Sequence, residues 1–257
     1  MIVKVFENEE FAGRAAADAI IAQISAKPNS VLGLPTGSTP VPTYRALSAA
    51  CAEGRVSFKD VKTFNLDEYV GLNPAHEQSY RYFMNDNLFN HVDIDIANTN
   101  LPCDGSDLDE ATAAKYDEKI IAAGGIDFQL LGIGGNGHIG FNEPGGTLAS
   151  RTHVGVLTEQ TRRDNARFFD GDIDQVPTHC VTQGLGTIMD SRAHIFIATG
   201  EGKADAVKAM IEGGVTQRWP ASILQHHPDV TVLLDEAAAS KLELADFYKE
   251  VWEKEHL

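Results

Sequence analysis

Short apolar runs recur along this chain, each followed by a loop and then by a segment with helical spacing. That alternation restricts the fold more than any single motif. Ile2–Phe6, Ser30–Leu34, Val61–Leu66, Phe128–Ile133, His194–Thr199 and Val230–Leu234 read as buried strands, and Val154–Leu157 as a further one. Between them, Asn8 caps a helix with Glu9 and Glu10 in its first turn and an apolar face of Phe11, Ala15, Ile20, Ile21 and Ile24. Thr43–Ala52 follows, with Thr39 as its cap, Pro40 as its first residue and Gly54 past its end. Tyr80–Phe89, Asp107–Ala123 (Ala114, Tyr116 and Ile120 inward), Glu159–Phe169, Lys203 to about Glu212, and Lys241–Trp252 complete the helices. Strands alternating with helices predict a doubly wound, Rossmann-like α/β fold, its sheet mostly parallel with helices on both faces. At 257 residues a single domain over 1–257 is expected.

Such a sheet gathers the loops at the carboxyl ends of its strands, where open α/β folds bind ligands. The stretch Asp127–Pro144, DFQLLGIGGNGHIGFNEP, is the most pointed of these: an apolar strand breaks into glycines and then presents Asn136, His138, Asn142 and Glu143. Gly132, Gly134 and Gly137 also satisfy G-x-G-x-x-G, the dinucleotide fingerprint. That fingerprint needs a helix opening at the loop, and Pro144, Gly145 and Gly146 exclude a long one. Dinucleotide binding is set aside.

Charge narrows the ligand class. Twenty-one basic against 37 acidic residues give −16, which argues against nucleic acid and acidic membranes. No apolar run reaches membrane length and the first residues lack a signal pattern, so a cytoplasmic setting is expected. Cys51, Cys103 and Cys180 are isolated and read as reduced thiols, and no metal motif such as H-E-x-x-H is present. A compact anion remains a possible ligand if donors are concentrated locally.

Four loops supply such donors and proton-transfer groups. Thr36, Gly37, Ser38 and Thr39 offer hydroxyls and backbone N–H groups ahead of a helix, a corner suited to phosphate. Asp67, beside Glu68, is a carboxylate just past a strand and a candidate base; a helix cap or surface turn is the plain alternative. His138 with Asn136 and Glu143 is a candidate proton relay, against a structural loop histidine. Lys203 sits at a helix start and Arg167 on a polar helix; each is either a phosphate contact or a solvated surface charge.

Together these loops resemble a known family. LGLPTGSTP at 32–40, TFNLDEYVGL at 63–72, LGIGGNGHIGFNEP at 131–144 and ATGEGKADAV at 198–207 are similar to the glucosamine-6-phosphate deaminases. SYRYFMNDNLF, LASRT and RFFD extend the likeness over nearly the whole chain. The sister family, 6-phosphogluconolactonase, shares the layout but lacks the pairing of DEYVGL with GNGHIGFNEP.

The resemblance implies that glucosamine 6-phosphate and water give fructose 6-phosphate and ammonia, without cofactor or metal. It casts Asp67 as the base moving a proton between C2 and C1. His138 becomes the ring-opening group, assisted by Glu143 and Asn136; Thr36–Thr39, Arg167 and Lys203 become substrate and phosphate contacts. The segment around 158–176 becomes a mobile lid. Two departures stand out: position 136 carries asparagine where many relatives have aspartate, and Gly146, His153, Gly155 and Val156 replace the serine and basic residues of an activator pocket in hexameric relatives. A monomer or small homo-oligomer without allosteric activation is therefore expected. Lactone hydrolysis and a non-catalytic phosphosugar sensor are the competing readings.

Overall fold

A computed structural model describes residues 1–103 and 110–255. In chain order its strands and helices are β1 (Ile2–Phe6), α1 (Glu9–Ala26), β2 (Val31–Leu34), α2 (Val41–Ala52), β3 (Lys62–Asn65), β4 (Asp67–Tyr69), α3 (Tyr80–Asn87), β5 (Thr99–Asn100) and α4 (Glu110–Ala122). There follow β6 (Phe128–Leu131), β7 (His153–Val156), α5 (Glu159–Ala166), β8 (His179–Thr182), α6 (Leu185–Met189), β9 (Ala193–Ala198), α7 (Ala204–Ile211), β10 (Val230–Asp235), α8 (Glu236–Ala239) and α9 (Ala245–Glu255).

Seven strands form one sheet in the order β1-β10-β9-β6-β2-β3-β5, every pair parallel. From β2 the chain winds outward through β3 to β5; from β6 it winds the other way through β9 to β10. The direction reverses between β2 and β6, so their carboxyl ends diverge into a crevice. Helices cover both faces: α1 and α2 pack with Leu32, Leu34, Leu130 and Ile197 on one side, and α6 to α8 with Leu131, Phe196, Val232 and Leu234 on the other. The doubly wound expectation holds.

Several details depart from the sequence reading. A second sheet, β4-β8-β7, is antiparallel, so Asp67 begins a strand rather than a loop, and β8 lay outside the expected set. The inward face of α1 is Ala12, Ala16, Ile20 and Ile24, while Phe11 stays 49% exposed, because small residues let α2 approach closely. On α4 the buried alanine is Ala113 rather than Ala114, and the expected start at 107–109 lies outside the described residues. The segment expected to run to Phe169 ends as α5 at Ala166, and the closing helix begins at Ala245 rather than Lys241.

Asp127 shows why the lead stretch starts where it does. Its carboxylate accepts from the Val31 N–H at 2.9 Å and pairs with Lys27 (2.7 Å) and Arg192 (3.0 Å), tying the start of β6 to its neighbours.

Candidate active site

A cavity of about 480 Å³ opens at the carboxyl ends of β2, β6 and β9. Thr36, Gly37, Ser38, Thr39, Asp67, His138, Arg167 and Lys203 all line it. Residues from distant parts of the chain meet there because β3, β2, β6 and β9 are consecutive in the sheet.

The loop after β2 is held by the Tyr44 hydroxyl, which donates to the Pro35 carbonyl at 2.5 Å. Gly37 has φ of +93°, a conformation that a side chain disfavours. Thr39 does not cap α2 as expected: Pro40 occupies the cap position and no side chain bonds the helix end. The N-terminus of α2 thus keeps its positive dipole end free beside the hydroxyls, an anion-binding arrangement. Across the cavity, Lys203 closes a short 3-10 turn, Glu201–Lys203, ahead of α7. The Asp235 carboxylate fixes that turn by accepting the Gly200 N–H at 3.0 Å. Burial and then the nearby Arg167 charge lower the Lys203 pKa, with Asp164 opposing. Among the described residues the Lys203 ammonium has no ion-pair partner.

Asp67 and Glu68 are adjacent carboxylates with opposite roles, since successive strand residues face opposite ways. Glu68 accepts from the N–H groups of Tyr69 (2.8 Å), Tyr80 (3.0 Å) and Arg81 (2.9 Å), and so anchors the first turn of α3. Asp67 faces the cavity. Burial, reinforced by the Glu68 charge, pushes its pKa up to about 8. A carboxyl in that range suits proton transfer near neutral pH. The helix-anchor reading therefore applies to Glu68, not to Asp67.

The loop after β6 builds the third part. No helix opens at its glycines; the next one after β6 is α5. Gly134 is required by close approach, because a Cβ there would meet the His138 ring within 2.3–2.5 Å. The His138 N–H donates to Asn136 Oδ1 at 3.2 Å, Asn136 Nδ2 donates to Glu143 Oε2 at 2.7 Å, and Glu143 Oε1 lies 3.8 Å from His138 Nδ1. Burial alone would raise the Glu143 carboxyl, but His138, Thr161 and Asn136 together bring it below the usual glutamate range. At 3.8 Å the imidazole nitrogen is beyond hydrogen-bond reach of that oxygen. Asn136 and Glu143 sit behind His138, away from the cavity lining.

Lining residues that escaped the sequence reading include Asp235, Tyr80, Thr161, Asp164 and Asn165. The last three lie on α5, whose polar sequence reads as an ordinary solvated face; only Arg167 hinted at more. Asn165 donates to the Tyr69 hydroxyl at 2.9 Å, and Phe169 packs edge-on to the Tyr69 ring, with centroids 6.0 Å apart. No group of three or more His, Cys, Asp or Glu that could hold a metal occurs among the described residues.

Residues 7–233 match the family described as glucosamine-6-phosphate isomerases/6-phosphogluconolactonase. The chain belongs to that family. A glucosamine-6-phosphate deaminase of Cellvibrio japonicus is 54% identical over 251 residues, covering 98% of this chain and 95% of the relative. One of Mycolicibacterium smegmatis is 52% identical over 240 residues, covering 93% and 92%. Among solved structures, a monomeric glucosamine-6-phosphate deaminase superposes with a TM-score of 0.90 at 44% identity, covering 93% of this chain and 99% of that one. A 6-phosphogluconolactonase from Trypanosoma brucei reaches a TM-score of 0.72 at 21% identity over 94% and 98%. That second likeness concerns the family fold alone.

Proposed function

We propose that this protein is a glucosamine-6-phosphate deaminase, converting glucosamine 6-phosphate and water to fructose 6-phosphate and ammonia in amino-sugar catabolism. The observation that carries the reading is the joint placement of Asp67, His138 and the Thr36–Thr39 corner on one cavity, in a chain about half identical to deaminases along nearly its full length. One domain over 1–257 then accounts for the activity.

The phosphate sits between the α2 N-terminus, the Thr36–Thr39 hydroxyls and N–H groups, Arg167 and Lys203, holding the sugar in register. His138 moves a proton between O1 and O5, opening the cyclic hemiacetal to the aldehyde. Glu143 and Asn136 hold the imidazole's surroundings; Asn136 orients by hydrogen bonding and carries no charge to stabilise an imidazolium. Once the aldehyde forms, the C2 proton is acidic. Asp67 removes it while O1 takes up a proton as the C2 ammonium gives one up, giving an enolamine; Asp67 then returns its proton to C1, giving a protonated ketimine at C2. Water adds to the ketimine carbon and ammonia leaves, yielding the ketone. The substrate ammonium on C2 favours ionised Asp67, offsetting the burial that raises its pKa in the free site.

No activator control is proposed, and a monomer or small oligomer is expected. A second cavity of about 330 Å³ is lined by Gly146, Ser150, Arg151 and His153. Its arginine is already engaged, by Asp117 at 3.0 Å and Asp190 at 2.6 Å. Gly146 and Gly155 offer no side-chain donor to an anion, and the relative that superposes best of those described above is itself monomeric.

A coupled assay of purified protein tests the reading: fructose 6-phosphate and ammonia should appear in equal amounts from glucosamine 6-phosphate. Hydrolysis of 6-phosphogluconolactone, or binding without turnover, would overturn it. The rate curve should be hyperbolic and insensitive to N-acetylglucosamine 6-phosphate; a sigmoidal curve abolished by that compound would refute the absence of activation.

A further inference from the structure

A third cavity, of about 330 Å³, is lined by the end of β5 and one face of α4. It shares no lining residue with the active-site cavity or with the one around Arg151. Its charge is one-sided: Arg81, Lys115 and Lys119 line it, and among the described residues no carboxylate does. The active-site cavity, by contrast, sets Glu9, Asp67, Asp164 and Asp235 beside Arg167 and Lys203. In a chain of net charge −16, three unopposed cations on one small concave surface form a local positive field against the overall sign.

Each cation is placed by its own element. Lys115 and Lys119 stand one turn apart on α4, so they project from the same face. Both are exposed, and neither has an ion-pair partner among the described residues. Asp117, between them in sequence, is instead engaged by Arg151, Thr152 and Thr187, and Glu118 does not line the cavity. Arg81 is held rigidly. Its Nη1 donates to Thr99 Oγ1 at 2.6 Å and its Nη2 to the Thr99 carbonyl at 3.1 Å. Those bonds fix the plane of the guanidinium while using only part of its five-donor fork. Glu68, whose charge acts on Arg81, is tied down by backbone N–H groups and stays out of the lining. Pro74, Leu101 and Pro102 add an apolar wall.

We propose that this cavity is a second anion site and that it takes a compact phosphate monoester. The Arg81 fork suits two phosphate oxygens, the two lysines balance the remaining charge, and the apolar wall covers the carbon body of the ester. Extended polyanions are disfavoured, because only a small ligand reaches these cations without meeting the surrounding negative field. With no lining carboxylate among the described residues, an amino group on the ligand gains nothing here, unlike in the active site. The inference is independent of the deaminase reading.

The test titrates inorganic phosphate into the full chain at ionic strength held constant with chloride, followed by two-dimensional NMR. The Arg81 Nε–H and the Thr99 amide should shift saturably, while the Gly37 amide reports the active-site corner separately. Lys115→Ala combined with Lys119→Ala should weaken the Arg81 response about tenfold or more and leave that of Gly37 unchanged. Both positions are exposed and alanine favours helix, so the variant keeps its fold. Lys115→Arg combined with Lys119→Arg should retain binding. Absent or non-saturating shifts at Arg81, or shifts that survive the double alanine variant, would overturn the site. Phenyl phosphate should bind there more tightly than inorganic phosphate, and binding no tighter would overturn the monoester assignment. None of these titrations needs turnover, so their failure and failure of the deaminase assay are distinct results.

Discussion

The two halves of the cavity are built in opposite ways. Around His138 nearly every polar group is braced by another: Asn136 to Glu143, Glu143 to Thr161, Thr161 to Thr158. Around Thr36–Thr39 and Lys203 the side chains are left without partners among the described residues, and α2 is uncapped. In the braced half the side chains that surround the imidazole are already hydrogen-bonded to one another, while His138 Nδ1 itself stays 3.8 Å from the Glu143 carboxylate. The open half is electrostatically incomplete and gains its missing charge from the ligand. Under the proposed deaminase reading, such a division would place orientation energy with the phosphate and proton transfer with the loop after β6.

The most severe break in that contrast is Asp67→Asn. It should lower kcat by 10²-fold or more, about the worth of one placed general base, while KM changes little. C2–H exchange with solvent, followed by NMR in deuterium oxide, should vanish; retained exchange would remove Asp67 as the base. The same variant should stabilise the protein. Folding raises the Asp67 pKa to about 8 from an unfolded value near that of a free aspartate. The folded state therefore binds more protons between roughly pH 4 and 8, and wild-type stability falls as pH rises through that window. A thermal melt of Asp67→Asn should exceed wild type by an amount that grows towards pH 8, on the order of a few kcal/mol at most.

Lys203→Met attacks the open half. Loss of one charge-assisted phosphate contact, about 1.5–3 kcal/mol, should raise KM roughly ten- to a hundredfold with a smaller change in kcat. The penalty should disappear with glucosamine lacking its phosphate. If kcat fell as far as KM rose, the two halves would not be separable.

His138→Gln sharpens the contrast within the braced half. It should slow turnover of the closed ring more than that of a substrate supplied open, and equal losses would count against ring opening. The smallest effect is expected from pH. The limb of kcat/KM that reports the free Asp67 should rise with pH and level above about 8, because only the ionised carboxylate accepts the C2 proton. Glu68→Gln removes the neighbouring negative charge and should move that limb downward.

Local pattern carried much of this. Apolar runs and glycine-broken loops marked the principal strands, and the strand–loop–helix alternation marked the parallel winding, because both depend on nearest-neighbour chemistry. The short antiparallel sheet was hidden because β4 and β8 are three and four residues long and pair across more than a hundred positions. Helix phase failed at Phe11 for a related reason: which face turns inward was set by the approach of α2, not by hydrophobicity. All ten residues singled out for chemistry fall in or directly behind the cavity, yet Thr161, Asp164 and Asn165 had no signal beyond a polar helix.

What the sequence alone determined was which groups stood as candidates for chemistry: an aspartate after a strand, a histidine among glycines, hydroxyls before a helix and two cations. The tertiary structure decided where each group points and what surrounds it. The register of β4 turned Asp67 into the cavity and Glu68 onto the end of α3. Burial then lifted one carboxyl towards neutral pH, while three N–H groups tied down the other. Those outcomes depend on solvent exclusion and on partners far away in the chain, which no local stretch encodes.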